Sequence, residues 1–207
     1  MRRTASIALF AACLALAGCG TATTLIKVKT ETAAQSPVSV SEGIGFPVLA
    51  TKNTTRVSGA DPTADAAGVA LAVYPSTVAG THPTAVTIAP SDDWEAAIAS
   101  SVLMAAPIRA PVLLSGSGAL PAASANALNL LAPTGAGSIR GAQVIRVGNV
   151  AAVKGMRTAA IRGSDPYTLA AAIDRFATAA AGKPSPDVVI ASTADPAYAM
   201  PAAGWAA

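Results

Sequence analysis

Apolar residues in this chain fall into two kinds of run. Short unbroken runs, such as Ala85-Val86-Thr87-Ile88-Ala89, Pro111-Val112-Leu113-Leu114, Ala142 to Val147 and Val188-Val189-Ile190-Ala191, are bounded by proline, glycine or aspartate. Longer stretches between them space their apolar residues by three or four. Ala66, Val69, Ala70 and Val73 follow one such stripe up to Tyr74-Pro75, and Leu169, Ile173 and Phe176 follow another. A third helix is expected from Trp94 to about Ala106, where Pro107 intervenes, and a fourth from Pro121 to Leu131 with Leu128 and Leu131 inward. Thr54-Thr55-Arg56-Val57 is β-branched and reads as the first strand of the domain. Strands that are apolar throughout and alternate with helices predict a mostly parallel sheet covered on both faces.

The pattern occurs twice. Val57-Ser58-Gly59-Ala60-Asp61-Pro62-Thr63-Ala64 returns as Ile161-Arg162-Gly163-Ser164-Asp165-Pro166-Tyr167-Thr168, 104 positions later. Each copy is followed by a helical stretch, then by an apolar run (Val86 to Ala89, Val188 to Ala191), and then by Asp93 or Asp195. A fixed internal period is an architectural signal. The expected fold is therefore α/β, a tandem repeat of a Rossmann-like three-layer unit, with residues 54–159 as the first copy and 160–207 as a truncated second. Gly59 and Gly163 should occupy equivalent turns, Asp61 and Asp165 equivalent helix starts, and the two apolar runs equivalent core strands. The incomplete copy belongs either to a fragment of a longer protein or to a piece packed on the first sheet; the lack of a polar terminator at Trp205-Ala206-Ala207 favours the fragment.

Upstream of the repeat the chain changes character. Arg2 and Arg3 precede an uncharged apolar run from Ile7 to Ala17, and Leu16-Ala17-Gly18-Cys19 follows. That run is shorter than the roughly 20 residues a span needs, and small residues before a cysteine read as a lipoprotein signal over residues 1–18, with Cys19 as the lipidated first residue of the mature chain. Two or more acyl chains there suffice for stable anchoring to the membrane. Residues 19–53 are rich in threonine, serine and alanine, with Pro37 and Pro47, and read as an extended tether.

Charge and composition narrow the chemistry. Of 14 basic and 11 acidic residues, Arg2 and Arg3 leave with the signal, so the mature chain stands near +1. With aromatics at 4%, neither a basic face nor a stacking platform for nucleic acid is expected. Cys13 leaves too, so no disulfide or cysteine-ligated metal is expected, and the single histidine, His82, reads as a surface loop residue beside Pro83. Ser115-Gly116-Ser117-Gly118 lies between a strand and a helix but lacks the third glycine and the ribose-binding acid of a dinucleotide site, so no cofactor is expected. Asp92, Asp93 and Glu95 fall at a strand's carboxyl end, where open α/β sheets place ligands. Acids at such points also cap helices, as Asp61-Pro62 and Asp165-Pro166 can, with proline in a first turn that needs no amide hydrogen. Arg56, Arg109, Arg140, Arg146 and Arg162 are the available grips for phosphate or carboxylate.

From about Arg56 onward the chain resembles the type 2 cell-wall-binding repeat family of bacterial surface proteins. The resemblance lies in Gly59, Asp61 and Ala66, in Gly163, Asp165, Tyr167 and Ala170, in Ala110-Pro111-Val112-Leu113-Leu114, and in Val144-Ile145-Arg146-Val147-Gly148. The family's opening arginine is replaced by Pro62 and Pro166, and its second strand-ending glycine by Asn149. The resemblance implies a module without catalytic residues that attaches non-covalently to an anionic wall polymer or peptidoglycan. Arg56, Asp61, Asp92, Asp93, Arg162, Asp165, Tyr167 and Asp195 are then the candidate contacts. Two other readings stand beside it: a wall-active glycan hydrolase using the Asp92/Asp93 region, which needs a facing carboxylate, and a solute-binding lipoprotein, which needs two lobes.

Overall fold

A computed structural model describes residues 47–50, 55–57 and 59–207. The signal over residues 1–18, the lipidation site Cys19 and most of the tether lie outside the described residues. At the tether's end, however, Pro47–Ala50 forms strand β1 and pairs antiparallel with β2 (Thr55–Val57), so this stretch is sheet rather than free linker. Consequently β2, read as the first strand of the domain, stands outside the main sheet.

The main sheet holds β3 (Val86–Pro90), β4 (Val112–Ser115), β5 (Val144–Val147) and β6 (Thr158–Ile161), in the order β4-β3-β5-β6 and all parallel. Central β3 is buried at every position, as its unbroken apolar run requires. Alternate side chains serve opposite faces. Val86, Ile88, Leu113 and Val144 meet α1 (Pro62–Val73) and α3 (Ala122–Leu131). On the other face Ile145, Val147 and Ile161 meet Leu103, Ile108, Leu169 and Ile173, which belong to the region of α2 (Trp94–Ala99) and to α4 (Pro166–Ala181). A last helix, α5 (Pro196–Ala206), packs against α2 and the 3-10 turn that follows it. The result is the three-layer α/β arrangement.

Four local expectations are corrected. First, α1 turns inward not its valines but Ala64, Ala67, Ala70 and Leu71; Val69 and Val73 are 48% and 63% exposed. Small side chains on the buried face let α1 lie close to α3 and the sheet, which outweighs the larger transfer energy of valine. Second, α2 stops at Ala99 and tightens into a 3-10 turn over Ser100–Met104, because the buried Ser100 hydroxyl donates to the Ala96 carbonyl at 2.7 Å and competes with the α-helical pattern. Third, the segment read as a second copy does not open a sheet of its own: β6 begins at Thr158, inside the division drawn at residue 160, and joins the edge of the first sheet beside β5. β6 and α4 thus pack on the first sheet.

Fourth, Val188 to Ala191 is not a strand. Val188 is 80% and Ile190 91% exposed, whereas their counterparts Val86 and Ile88 are fully buried. β3 owes its state to hydrogen-bonding neighbours on both sides, and no described strand flanks residues 188–191. The two runs are therefore not equivalent core strands, and the correspondence between the copies is limited to their helix starts, at Asp61 and Asp165 and at Asp93 and Asp195.

Candidate functional site

The site expected from the sequence is the carboxyl end of the sheet. From β3 the chain turns through α2 to β4 at one edge, and from β4 it returns through α3, across the opposite face, to β5 on the far side of β3. The order therefore reverses between β3 and β5, where open sheets leave a crevice. Here the crevice is filled. The Ser91 amide donates to Ser115 O at 3.1 Å, the Gly148 amide to Ile161 O at 2.9 Å, and the Ala151 amide to Gly116 O at 2.8 Å, a strap that crosses the end of β3. Gly148, at φ +68, lets this strap lie against Pro90, and Val150 and Ala151 are each 1% exposed. Arg146 belongs to the same strap: half-buried, it donates through Nη2 to the Val150 carbonyl.

The aspartates marked by the repeat are engaged one by one in helix starts. Asp61 Oδ1 accepts the Ala64 amide at 2.9 Å, and Asp93 Oδ1 the Ala96 amide at 2.9 Å. Asp195 Oδ1 accepts the Ala197 amide at 2.8 Å. Asp165 makes the fullest cap: its Oδ1 accepts the Tyr167 and Thr168 amides at 3.0 and 2.9 Å, while the Thr168 hydroxyl accepts the Asp165 amide at 3.2 Å. The Thr168 amide, and then the Thr168 hydroxyl, which donates to Asp165 Oδ2 at 2.9 Å, hold the Asp165 carboxyl below its ordinary pKa. Asp92, by contrast, is exposed beside the cap.

The two repeat glycines share one physical role, though not that of a left-handed turn. Neither Gly59 nor Gly163 has positive φ. Instead the helix that follows returns onto them: a Cβ on Gly59 would lie 2.7 Å from the Ala64 Cβ and the Asp65 nitrogen, and one on Gly163 would strike the backbone of Leu169. The loops are then closed differently. Gly59 donates its amide to the Asp65 carboxylate at 2.7 Å, whereas the Ser164 amide donates to the Thr168 hydroxyl at 3.0 Å.

Among the remaining candidates, Arg56 in β2 and Arg162 just beyond β6 are exposed, as are Arg109 and Arg140. Tyr167 is 72% exposed, with its hydroxyl 3.2 Å from the Thr193 hydroxyl. The structure thus gathers Asp92, Asp93, Arg162 and Asp165 along the carboxyl end of one sheet and leaves Arg56 and Asp61 at the separate hairpin.

Two recesses lie elsewhere. One, of about 610 Å³, runs beside α3 and is lined by Leu120, Leu128, Val153 and Met156, with Lys154 as its charged group. The other, of about 220 Å³, lies where β3 and β4 begin and brings together Tyr74, His82, Thr84, Ile108 and Arg109. Sequence reasoning placed His82 on the surface and missed this grouping. The sole signal was the set of prolines, Pro83 and Pro107, ahead of two strands. Among the described residues no cluster of three or more histidine, cysteine or acidic side chains could hold a metal ion, and no helix is long and apolar enough to cross a membrane.

Comparison with protein-family models returns no match for this chain, and comparison with curated proteins returns none. Among solved structures the chain is similar to Cwp6 from Clostridium difficile, with a TM-score of 0.47 and 17% identity over 64% of this chain. It spans 21% of the length of that protein.

Proposed function

We propose that this chain is a binding module of an exported lipoprotein, without catalytic residues, that attaches non-covalently to an anionic cell-wall polymer and is held at the membrane through lipid on Cys19. One observation carries the reading. The carboxylates of Asp61, Asp93, Asp165 and Asp195 are spent on helix amides, while Arg56, Arg109, Arg140 and Arg162 stand exposed. Of these arginines, Arg162 lies just beyond β6 at a strand-to-helix turn and Arg56 in the hairpin strand that leads to the other repeat turn, and each offers a guanidinium fork to phosphate or carboxylate groups of a polymer. The motif resemblance supplies the polymer, and the Leu16-Ala17-Gly18-Cys19 sequence supplies the anchor. Weak contacts repeated along a polymer add through effective concentration, so no single deep pocket is required.

The test is sedimentation with purified wall sacculi at rising salt. Binding should weaken with salt, fall in the Arg56→Gln, Arg162→Gln double variant, and vanish when the anionic polymer is stripped. Mass spectrometry of the membrane fraction checks the lipid on Cys19. Cleavage of wall glycan that Asp93→Asn abolishes would overturn the proposal in favour of a hydrolase.

A further inference from the structure

The geometry points to a small-oxyanion site in the recess at the amino ends of β3 and β4, remote from the strand carboxyl ends and independent of the polymer-binding proposal. Its wall is built around Arg109, which sits at φ +52, a conformation that a bulky L-residue seldom adopts without being held there. Three hydrogen bonds impose it. The Tyr74 hydroxyl donates to Arg109 O at 2.7 Å, the Arg109 amide donates to Ala105 O at 2.9 Å, and the next amide, Ala110, donates to Leu103 O at 2.9 Å. Backbone held this firmly makes Arg109 part of the lining of the recess.

Across the recess His82 is fixed with equal definition. Its Nδ1 lies 2.9 Å from Leu131 O, and a carbonyl can only accept, so the hydrogen is on Nδ1 and Nε2 is the ring nitrogen left over. A neutral imidazole so held accepts from a protonated phosphate oxygen, and a protonated one donates to a carboxylate or phosphate. Both states suit an oxyanion whose other oxygens meet the Arg109 fork. Pro83 and Ile108, both buried, add apolar surface to the lining. The cavity of about 220 Å³ is below the usual range for drug-sized ligands, roughly 300–1,000 Å³, and fits a phosphate or a small sugar acid. A cation is excluded by the guanidinium and by the lack of any lining carboxylate.

Because the chain has one histidine, its imidazole proton resonances report this recess alone. Inorganic phosphate and glucuronate are each titrated into the full chain in mild detergent at constant pH, with sodium chloride of matched ionic strength as control. The expected result is a saturable shift of the His82 Hε1 resonance, with affinity on the order of millimolar, weakened at least about tenfold in Arg109→Gln and unchanged in Arg175→Gln, which alters an exposed arginine of α4 outside the recess. The tighter of the two titrants identifies the phosphate or carboxylate preference. If Arg109→Gln fails to fold, His82→Gln is titrated instead, and the amide shifts of Arg109 and Tyr74 are followed. No saturable shift with either oxyanion, or the same shift with sodium chloride or in a folded Arg109→Gln protein, overturns the assignment.

Discussion

Replacing Gly59 by alanine adds one methyl group at a point where the chain has no room for it. The new carbon would stand 2.7 Å from the Ala64 Cβ and the Asp65 nitrogen and 2.8 Å from the Ala64 carbonyl carbon. Ordinary carbon contacts lie at about 3.5–4.0 Å, so the loop must retreat from α1 by about 1 Å. That displacement stretches the 2.7 Å bond from the Gly59 amide to the Asp65 carboxylate and disturbs the Asp61 cap next to it. Overpacking of this kind costs about 1–3 kcal/mol, and a lost cap about 1 kcal/mol. Against this, alanine gains about 0.4–1 kcal/mol by restricting the unfolded chain, a gain available because Gly59 lacks positive φ. The expected net loss is roughly 1–3 kcal/mol. Gly137 is the control, since it too lacks positive φ but has nothing within 4 Å of its added carbon; Gly137→Ala should be neutral or slightly stabilising. Urea unfolding followed by circular dichroism, with the slope m checked for constancy, measures both. A Gly59→Ala protein as stable as Gly137→Ala would refute the crowding argument.

The remaining predictions concern the helix starts and the unequal apolar runs. Ile88→Ala should cost about 2–5 kcal/mol, because Ile88 is fully buried on β3, whereas Ile190→Ala at the matching position should stay within about 0.5 kcal/mol in the same unfolding assay. Asp93→Ala should lose about 1 kcal/mol by removing the cap on α2, while Asp93→Asn, which can still accept the Ala96 amide, should lose little; equal losses would show that charge rather than capping matters there. Asp165 has a depressed pKa in the fold, so its contribution is fully present above the ordinary Asp value of about 3.9 and is lost as pH falls through the lower folded value. Acid titration followed by NMR of α4 should show this helix start fraying in that window, and the effect should be absent in Asp165→Asn.

Much of the fold was legible because its signals are local. A continuous apolar run such as Val86 to Ala89 favours a covered strand, and aspartate followed by proline satisfies the free amides and geometry of a helix's first turn with no help from elsewhere. The strands β3, β4 and β5 and the starts of α1, α2 and α4 accordingly lie where the pattern predicts them. The candidate aspartates were legible as well, together with the capping role that the structure gives four of them. The recess around His82 and Arg109 was not, since its members lie far apart in the chain and carry no common spacing; Tyr74 and Arg109 are 35 positions apart.

What the sequence by itself determined, then, was which segments could be strands and where helices begin. Only the tertiary structure decided which strands have neighbours. Val188 to Ala191 has nearly the composition of β3, yet it remains exposed, because a strand's amides and carbonyls are satisfied by other segments and not by its own residues. The same nonlocality sent β6 to the edge of the first sheet, turned the alanine face of α1 inward, and made Gly59 necessary for the space it leaves open. Helix capping is settled within four residues of chain, whereas pairing and close approach are settled between residues tens of positions apart, where sequence pattern carries no distance.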